Sequence, residues 1–318
     1  MTPKSPAETL RALEAQVGRV VYGAEEHTRL AFVAILVRGH VLLEGVPGTG
    51  KTFLAQTIAH CLGLGLRRLQ CTPDLMPGDV LGANIFDFRT QSFHLTRGPI
   101  FTDLLLADEI NRTPPKTQSA LLEAMQERAV SIDGTTSPLP DRFTVLATQN
   151  PVEHEGTYPL PEAQLDRFLF KLEVGYPHER QELAAVLTHG TTSGTPPVAS
   201  LGLERVTTPE EIDALRTFPA RVHLSDEVAR YVVALSRATR AHPALAVGLS
   251  PRASTMLAAA SRAAAACLGR DFVLPDDVKG LFLPVARHRV IRTPAAEMED
   301  VTVDAVLREL VEQVPAPR

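Results

Sequence analysis

The chain has 318 residues, 44% of them hydrophobic and 22% charged, which excludes a disordered chain and leaves room for about two folded domains. Its net charge of −5, from 32 basic and 37 acidic residues, argues against a general nucleic-acid coat. No apolar run reaches the length of a bilayer span, and the opening MTPKSPAETL lacks the apolar core of a signal peptide.

Taken in chain order, AFVAILV (31–37) suits a buried helix, and HVLLEG (40–45) is a short apolar strand. TFLAQTIAHCLG (52–63) reads as a helix that stops at a glycine. TDLLLADE (102–109), FTVLATQN (143–150) and FLFKLEV (168–174) are three further buried strands. Apolar strands separated by helices predict a parallel sheet covered on both faces, that is, an α/β core. Two segments interrupt the alternation as hairpins. ANIFDFRTQSFHLTRG (83–98) turns at RTQS, and RAVSIDGTTSPLPDRF (128–143) turns at Asp133-Gly134. PEAQLDRF predicts a short helix from Pro161 that feeds the last strand.

After residue 176 the pattern changes. HERQELAAVLTH is helical, and residues 188–205 carry a Gly, Ser, Thr and Pro-rich stretch that reads as loop or disorder. PEEIDALRTF, SDEVARYVVALSRATRAH, SPRASTMLAAASRAAAACLG and LPDDVKGLFLPVARHRV are all helical, opening on residues that cap or start helices. The expected organisation is therefore an α/β core over 1–176 and a small all-α domain over 177–318.

GVPGTGKT (Gly45, Val46, Pro47, Gly48, Thr49, Gly50, Lys51, Thr52) matches the P-loop pattern without a mismatch. Its glycines let backbone N–H groups turn toward one anion, Lys51 adds a point charge at the β- and γ-phosphates, and the Thr52 hydroxyl suits Mg²⁺. LLLADE ends a buried strand with Asp108 and Glu109. Following a P-loop, such a pair fits a metal-holding carboxylate and a water-orienting one, against the alternative of a strand that simply ends in acids. Asn150 closes the next strand and is either a polar strand terminus or a group that positions lytic water. Arg252 falls in the first turn of a helix capped by Ser250, where a cation opposes the macrodipole. It is either a solvated surface residue or the partner of an anion delivered by the other domain. Arg167 and Asp166 are sequence neighbours and point apart on a helix. Arg167 thus caps its helix or reaches an anion beyond its own subunit.

Together these segments resemble an AAA+ ATPase, and EGVPGTGKT, LLLADEINRTPPKTQSALLEAMQER, VSIDG, LATQNPVEHEGTYPLPEAQLDRF and GLSPRA, in that order, resemble the MoxR family. The resemblance spans nearly the whole chain. It implies a P-loop NTPase core followed by a lid domain, with the hairpins as the helix-2 insert and the pre-sensor-1 insert shared with magnesium-chelatase ATPase subunits and MCM helicases. It implies Walker A at Gly45–Thr52, Walker B at Asp108 and Glu109, sensor 1 at Asn150, an arginine finger at Arg167 and sensor 2 at Arg252. ATP and Mg²⁺, a usually hexameric ring, a von Willebrand factor A-domain partner and a protein client in maturation or metal insertion are also implied.

Two competing readings remain. A nucleic-acid translocase of the MCM type would need basic hairpins, yet the first supplies only Arg89, Arg97 and His94, and the second sets Asp133 at its turn. A nucleotide-gated scaffold without hydrolysis would not need Glu109 and Arg167. Cys61, Cys71 and Cys267 lack paired spacing and read as reduced thiols of a cytoplasmic protein, and the ten histidines show no metal-ligand spacing.

Overall fold

The computed structural model describes residues 5–151, 156–191 and 194–317. Helices α1 (Pro6–Val17) and α2 (Glu25–Leu36) come first. Strand β1 (Val41–Glu44) runs through the Gly-rich loop into α3 (Lys51–Leu62), and β2 (Leu66–Gln70) follows. A short α4 (Pro77–Leu81) opens onto the hairpin of β3 (Gly82–Asp87) and β4 (Ser92–Arg97). Then come β5 (Leu104–Asp108), α5 (Pro115–Glu127), the hairpin of β6 (Ala129–Ile132) and β7 (Thr135–Pro138), and β8 (Thr144–Gln149). The short α6 (Glu162–Leu165) feeds β9 (Phe170–Glu173). The remainder is helical: α7 (Glu179–His189), α8 (Pro209–Leu215), α9 (Asp226–Ala241), α10 (Pro251–Cys267), α11 (Pro275–Ala286), α12 (Pro294–Met298) and α13 (Val303–Gln313). Strands β10 (Leu245–Val247) and β11 (Ile291–Arg292) form a small antiparallel pair among these helices.

Strands β2-β5-β8-β1-β9 make one parallel sheet in that order. The expected α/β core is present, with five strands rather than four. LRRLQ escaped the sequence reading because only Leu69 of it is buried, so it lacks an apolar run. In the interior strands the side chains alternate between two cores. Val41 and Leu43, Leu104 and Leu106, and Leu146 face one, packed by α1, α2 and α3. Leu42, Leu105 and Ala107, and Val145 and Ala147 face the other, packed by α5. The larger core continues into Leu257 of α10 and Phe282 of α11, so the helical region shares apolar packing with the α/β unit. At the second hairpin, Asp133 (φ 47°) and Gly134 (φ 79°) both adopt left-handed backbone, the geometry that a two-residue turn between twisted strands requires.

Helix α7 buries none of its side chains but is tied to the connection between α1 and α2 by Tyr22 Oη to Thr188 Oγ1 at 2.6 Å and His189 Nε2 to the Val20 carbonyl at 2.8 Å. A 3-10 turn at Val198–Ser200 packs on α3. The three cysteines are buried and unpaired, and burial pushes their thiols up to about 11 for Cys61 and Cys71 and about 12 for Cys267.

His40 joins the two halves of the sheet's support. Its Nδ1 accepts the Val145 N–H at 2.9 Å and its Nε2 faces the Met125 carbonyl at 3.3 Å. Burial, with Arg128 nearby, lowers its pKa to about 3. An imidazole held below its unfolded value of about 6.5 binds a proton only in the unfolded chain between those limits. Its contribution is fully present above about pH 6.5 and is lost as pH falls toward 3. The unfolding free energy should therefore drop by up to about 1.4 kcal/mol per pH unit in that window from His40 alone. The buried His288 is shifted in the same direction, chiefly by desolvation. Urea titrations at about pH 7 and about pH 5.5 check this; equal stability at both would show that His40 does not stay neutral in the fold.

Candidate active site

The parallel sheet sets the site. Residues that end β1, β5 and β8 lie at one edge, where β1 is flanked by β8 and β9 and its chain must cross to β2 on the far side of the sheet. Such a switch in strand order leaves a crevice at the carboxyl ends of the strands. A cavity of about 650 Å³ opens there, lined by the 47–53 loop and helix start together with Asp108, Glu109, Thr148, Gln149 and Asn150.

The loop that enters the cavity needs its glycines. A Cβ on Gly45 would stand 2.2 Å from the Val174 carbonyl oxygen, and Gly50, the N-cap of α3, has φ 80°. Gly48 is likewise left-handed, and Thr49 Oγ1 donates to the Val46 carbonyl at 3.0 Å. The N-terminus of the 12-residue α3 therefore points its unsatisfied N–H groups into the crevice. Lys51 Nζ donates to the carbonyls of Gly45 and Val46, both at 2.7 Å. Burial lowers its pKa, opposed by the nearby carboxylates of Asp108 and Glu109.

Asp108 is the hub of the acidic side. Its Oδ2 accepts from Thr52 Oγ1 at 2.9 Å and from Arg68 Nη2 at 2.8 Å, and its Oδ1 accepts from Thr148 Oγ1 at 2.7 Å. Thr52 and Asp108 thus meet directly. Hydroxyl and carboxylate oxygens are the hard donors that Mg²⁺ takes. The Asp108 carboxylate already faces one cation, the Arg68 guanidinium, in the position where a metal would compete for it. The residues fit Mg²⁺ on these grounds.

Glu109 sits one residue past β5 with φ 61° and ψ 52°, left-handed backbone that is rare for a non-glycine residue and concentrates at functional sites. Its N–H donates to Thr148 Oγ1 at 2.8 Å. Its carboxylate receives Gln70 Nε2 at 3.3 Å and Arg112 Nε at 3.1 Å. Asn150 is buried at the end of β8, and its carbonyl accepts from Asn111 Nδ2 at 3.2 Å.

Arg68, Gln70 and Thr148 were not foreseen. The first two belong to the unrecognised β2. Thr148 could have been found by period two, since it shares a strand face with Asn150 and lies level with Asp108.

Arg167 and Arg252 are not in this cavity. Arg167 precedes β9, whose first residue Phe170 pairs with Val41 at the start of β1. It stands at the amino edge of the sheet, and the phosphate loop at the carboxyl edge. The four residues of β1 alone separate the edges by about 13 Å. The Arg167 guanidinium meets Gln126 Oε1 at 3.3 Å and, among the described residues, has no carboxylate at ion-pair distance. Ser250 caps α10 as expected, accepting from Ala253 N–H at 3.2 Å. The anion beside Arg252 is Asp166 of the α/β core, at 3.8 Å. Both arginines therefore stand on one edge, away from their own chain's phosphate loop.

Comparison with known proteins bears on the family and the fold. The family model "ATPase family associated with various cellular activities (AAA)" matches residues 40–170, and the AAA lid domain model matches residues 237–310. The chain is 44% identical to the Bacillus subtilis protein YeaC over 95% of this chain and 92% of that one. It is 41% identical to Chaperone MoxR1 of Mycobacterium tuberculosis, over 98% of this chain and 83% of that one. Protein MoxR of Methylorubrum extorquens is 32% identical over 96% and 94%. A crystal structure of a Cytophaga hutchinsonii protein superposes with a TM-score of 0.89 at 35% identity, covering 98% of this chain and 96% of the other.

Proposed function

The chain belongs to the MoxR family of AAA+ ATPases, and on that premise we propose an Mg²⁺-dependent hydrolysis cycle, run in a ring, that remodels a protein client. The observation that carries the cycle is the direct meeting of Thr52 and Asp108 at the mouth of the phosphate loop. In this reading the backbone N–H groups of residues 45–50 and the start of α3 cradle the phosphates of ATP. Thr52 and Asp108 would hold Mg²⁺, which when bound would supply positive charge to the phosphates. Lys51 leaves the carbonyls of Gly45 and Val46 and turns its ammonium to the same oxygens. Glu109 orients and polarises the attacking water, and Asn150 aligns it from the adjacent strand end. Arg167 and Arg252 neutralise the charge that develops on the transferred phosphoryl, each supplied by the neighbouring copy.

The reading of the client is supported by the first hairpin. Phe88 is 86% exposed and Phe93 69%, and both rings contact Phe86 edge-on at 5.2 and 5.1 Å. An aromatic tip of this kind suits apolar polypeptide more than a phosphate backbone. The Mycobacterium tuberculosis relative named a chaperone supports it too. The family resemblance supports a hexameric ring, a von Willebrand factor A-domain protein as working partner, and maturation or metal insertion as the outcome.

Lys51→Ala tests the nucleotide reading. It removes the loop's one ammonium, with its bonds to the Gly45 and Val46 carbonyls, and leaves the Thr52–Asp108 contact in place, so nucleotide affinity itself should fall by about tenfold or more, the scale of a lost charge-assisted contact. Equilibrium titration with a fluorescent ATP analogue measures it. Unchanged affinity would remove Lys51 from the phosphate site.

A further inference from the structure

The lid meets the core at the same sheet edge that carries Arg167. Three residues past α11, Arg289 is almost completely buried, its side chain 2% exposed. Its guanidinium reaches back across the domain junction. Nε donates to Asp166 Oδ1 at 2.7 Å, and Nη2 donates to the carbonyls of Asp166 at 3.1 Å and Phe168 at 2.5 Å. Nη1 donates to the Leu169 carbonyl at 3.2 Å and to the Val285 carbonyl. His288 adds a contact to the Phe168 carbonyl at 2.9 Å.

A buried cation is retained only where its charge and its donors are met. Here the charge is met by Asp166, and most of the donors by one short stretch, residues 166, 168 and 169, which brackets Arg167 on both sides; Val285 and Met256 of the lid accept the others. The fork of five donors suits this task, because it holds several acceptors in one plane where an ammonium would hold a point. The Asp166 carboxylate is shared. Its other oxygen, Oδ2, faces Arg252 Nε at 3.8 Å. One carboxylate thus links a lid residue that is buried, a lid residue that is half-exposed, and the segment from which Arg167 projects.

We infer that Arg289, acting through Asp166 and the 168–169 carbonyls, is a positioning residue that fixes where Arg167 and Arg252 stand on the face offered to a neighbouring copy. This rests on the reading that both arginines act in the neighbour's site. The lid and the finger then move as one body, and a displacement of either arginine displaces the other. Neither Arg289 nor Asp166 lines the phosphate-loop cavity of its own chain.

Asp166→Asn in the full-length chain is the gentler test, since it keeps the side chain's shape. Arg289→Lys is the second, since it keeps the charge and loses the fork. Both should leave ATP affinity unchanged, because each chain's own pocket is intact. Both should lower turnover by about 10²-fold, the scale of a misplacement near 1 Å. Mixing either with Lys51→Ala chains, which carry an intact arginine face, should restore turnover. A fold defect would instead lower affinity and would not be cured by a partner chain. Wild-type turnover in both variants would overturn the inference. So would inactive mixtures of these variants with Lys51→Ala under conditions where Arg167→Ala with Lys51→Ala is active. If that Arg167→Ala control mixture is itself inactive, the reading of arginines supplied between copies fails, and this inference fails with it.

Discussion

Glu109→Gln should leave nucleotide binding near wild type and lower ATP turnover by roughly 10²-fold or more. The reasoning starts from position. Glu109 is held just beyond β5 in left-handed backbone by a hydrogen bond from its own N–H to Thr148, so its side chain leans over the crevice beside Asp108. The amide keeps the length and can still accept from Gln70. It loses the charge that draws a proton from water and the ion pair to Arg112. Asp108 and Thr52 are untouched, so the groups proposed for the metal stay in place. A variant that binds ATP without cleaving it should also lengthen the lifetime of any assembly that ATP stabilises. Single-turnover measurements with labelled ATP, alongside binding titrations, separate the two effects. Near-normal turnover would take Glu109 out of the chemistry.

Arg167→Ala should have the larger effect, about 10³-fold or more on turnover, with single-chain nucleotide affinity almost unchanged. The separation of binding from turnover follows from the sheet. Arg167 lies at the amino edge and the phosphate loop at the carboxyl edge, so the guanidinium cannot contact a nucleotide held by its own chain. Its contact with Gln126 is a single hydrogen bond at 3.3 Å, and its loss is a minor cost to the fold. A helix-capping arginine would give the opposite pattern: a small change in stability and none in rate. Stopped-flow binding together with steady-state turnover distinguishes the two.

Much of this arrangement is legible in the sequence, for identifiable reasons. The phosphate loop is written in consecutive residues, and its glycines answer local backbone demands, as at Gly45 and Gly50. The interior strands β1, β5 and β8 are apolar on both faces because helices cover both, so they announce themselves; β9, at the other edge, shows itself through the buried Phe168, Phe170 and Leu172. Asp133-Gly134 gives its turn away by conformational preference alone. What was hidden depends on contacts between distant segments. Strand β2 forms on the edge provided by β5, and its two arginines mask it as a loop. Arg68 and Gln70 then enter the site through that pairing. The small β10–β11 pair is stabilised by helices around it rather than by its own pattern. Asp166 gave no sign of its partner, because Arg289 lies 123 residues further on. Helix α6 ends at Leu165, so Asp166 and Arg167 stand in the turn beyond it rather than on the helix as expected, and the Asp166 carboxylate turns to the lid instead of to its neighbour.

The central claim is that one chain supplies the pocket and another the arginines. Its most direct measurement is a titration of two inactive variants, Arg167→Ala and Lys51→Ala, at constant total chain concentration, with turnover read at each ratio. Arg167→Ala chains keep an intact pocket and Lys51→Ala chains keep an intact arginine face. Turnover should rise from near zero at either end to a maximum at intermediate ratios, where mixed interfaces are most numerous. A flat line at background, with mixed assemblies demonstrated by mass spectrometry, would contradict the account.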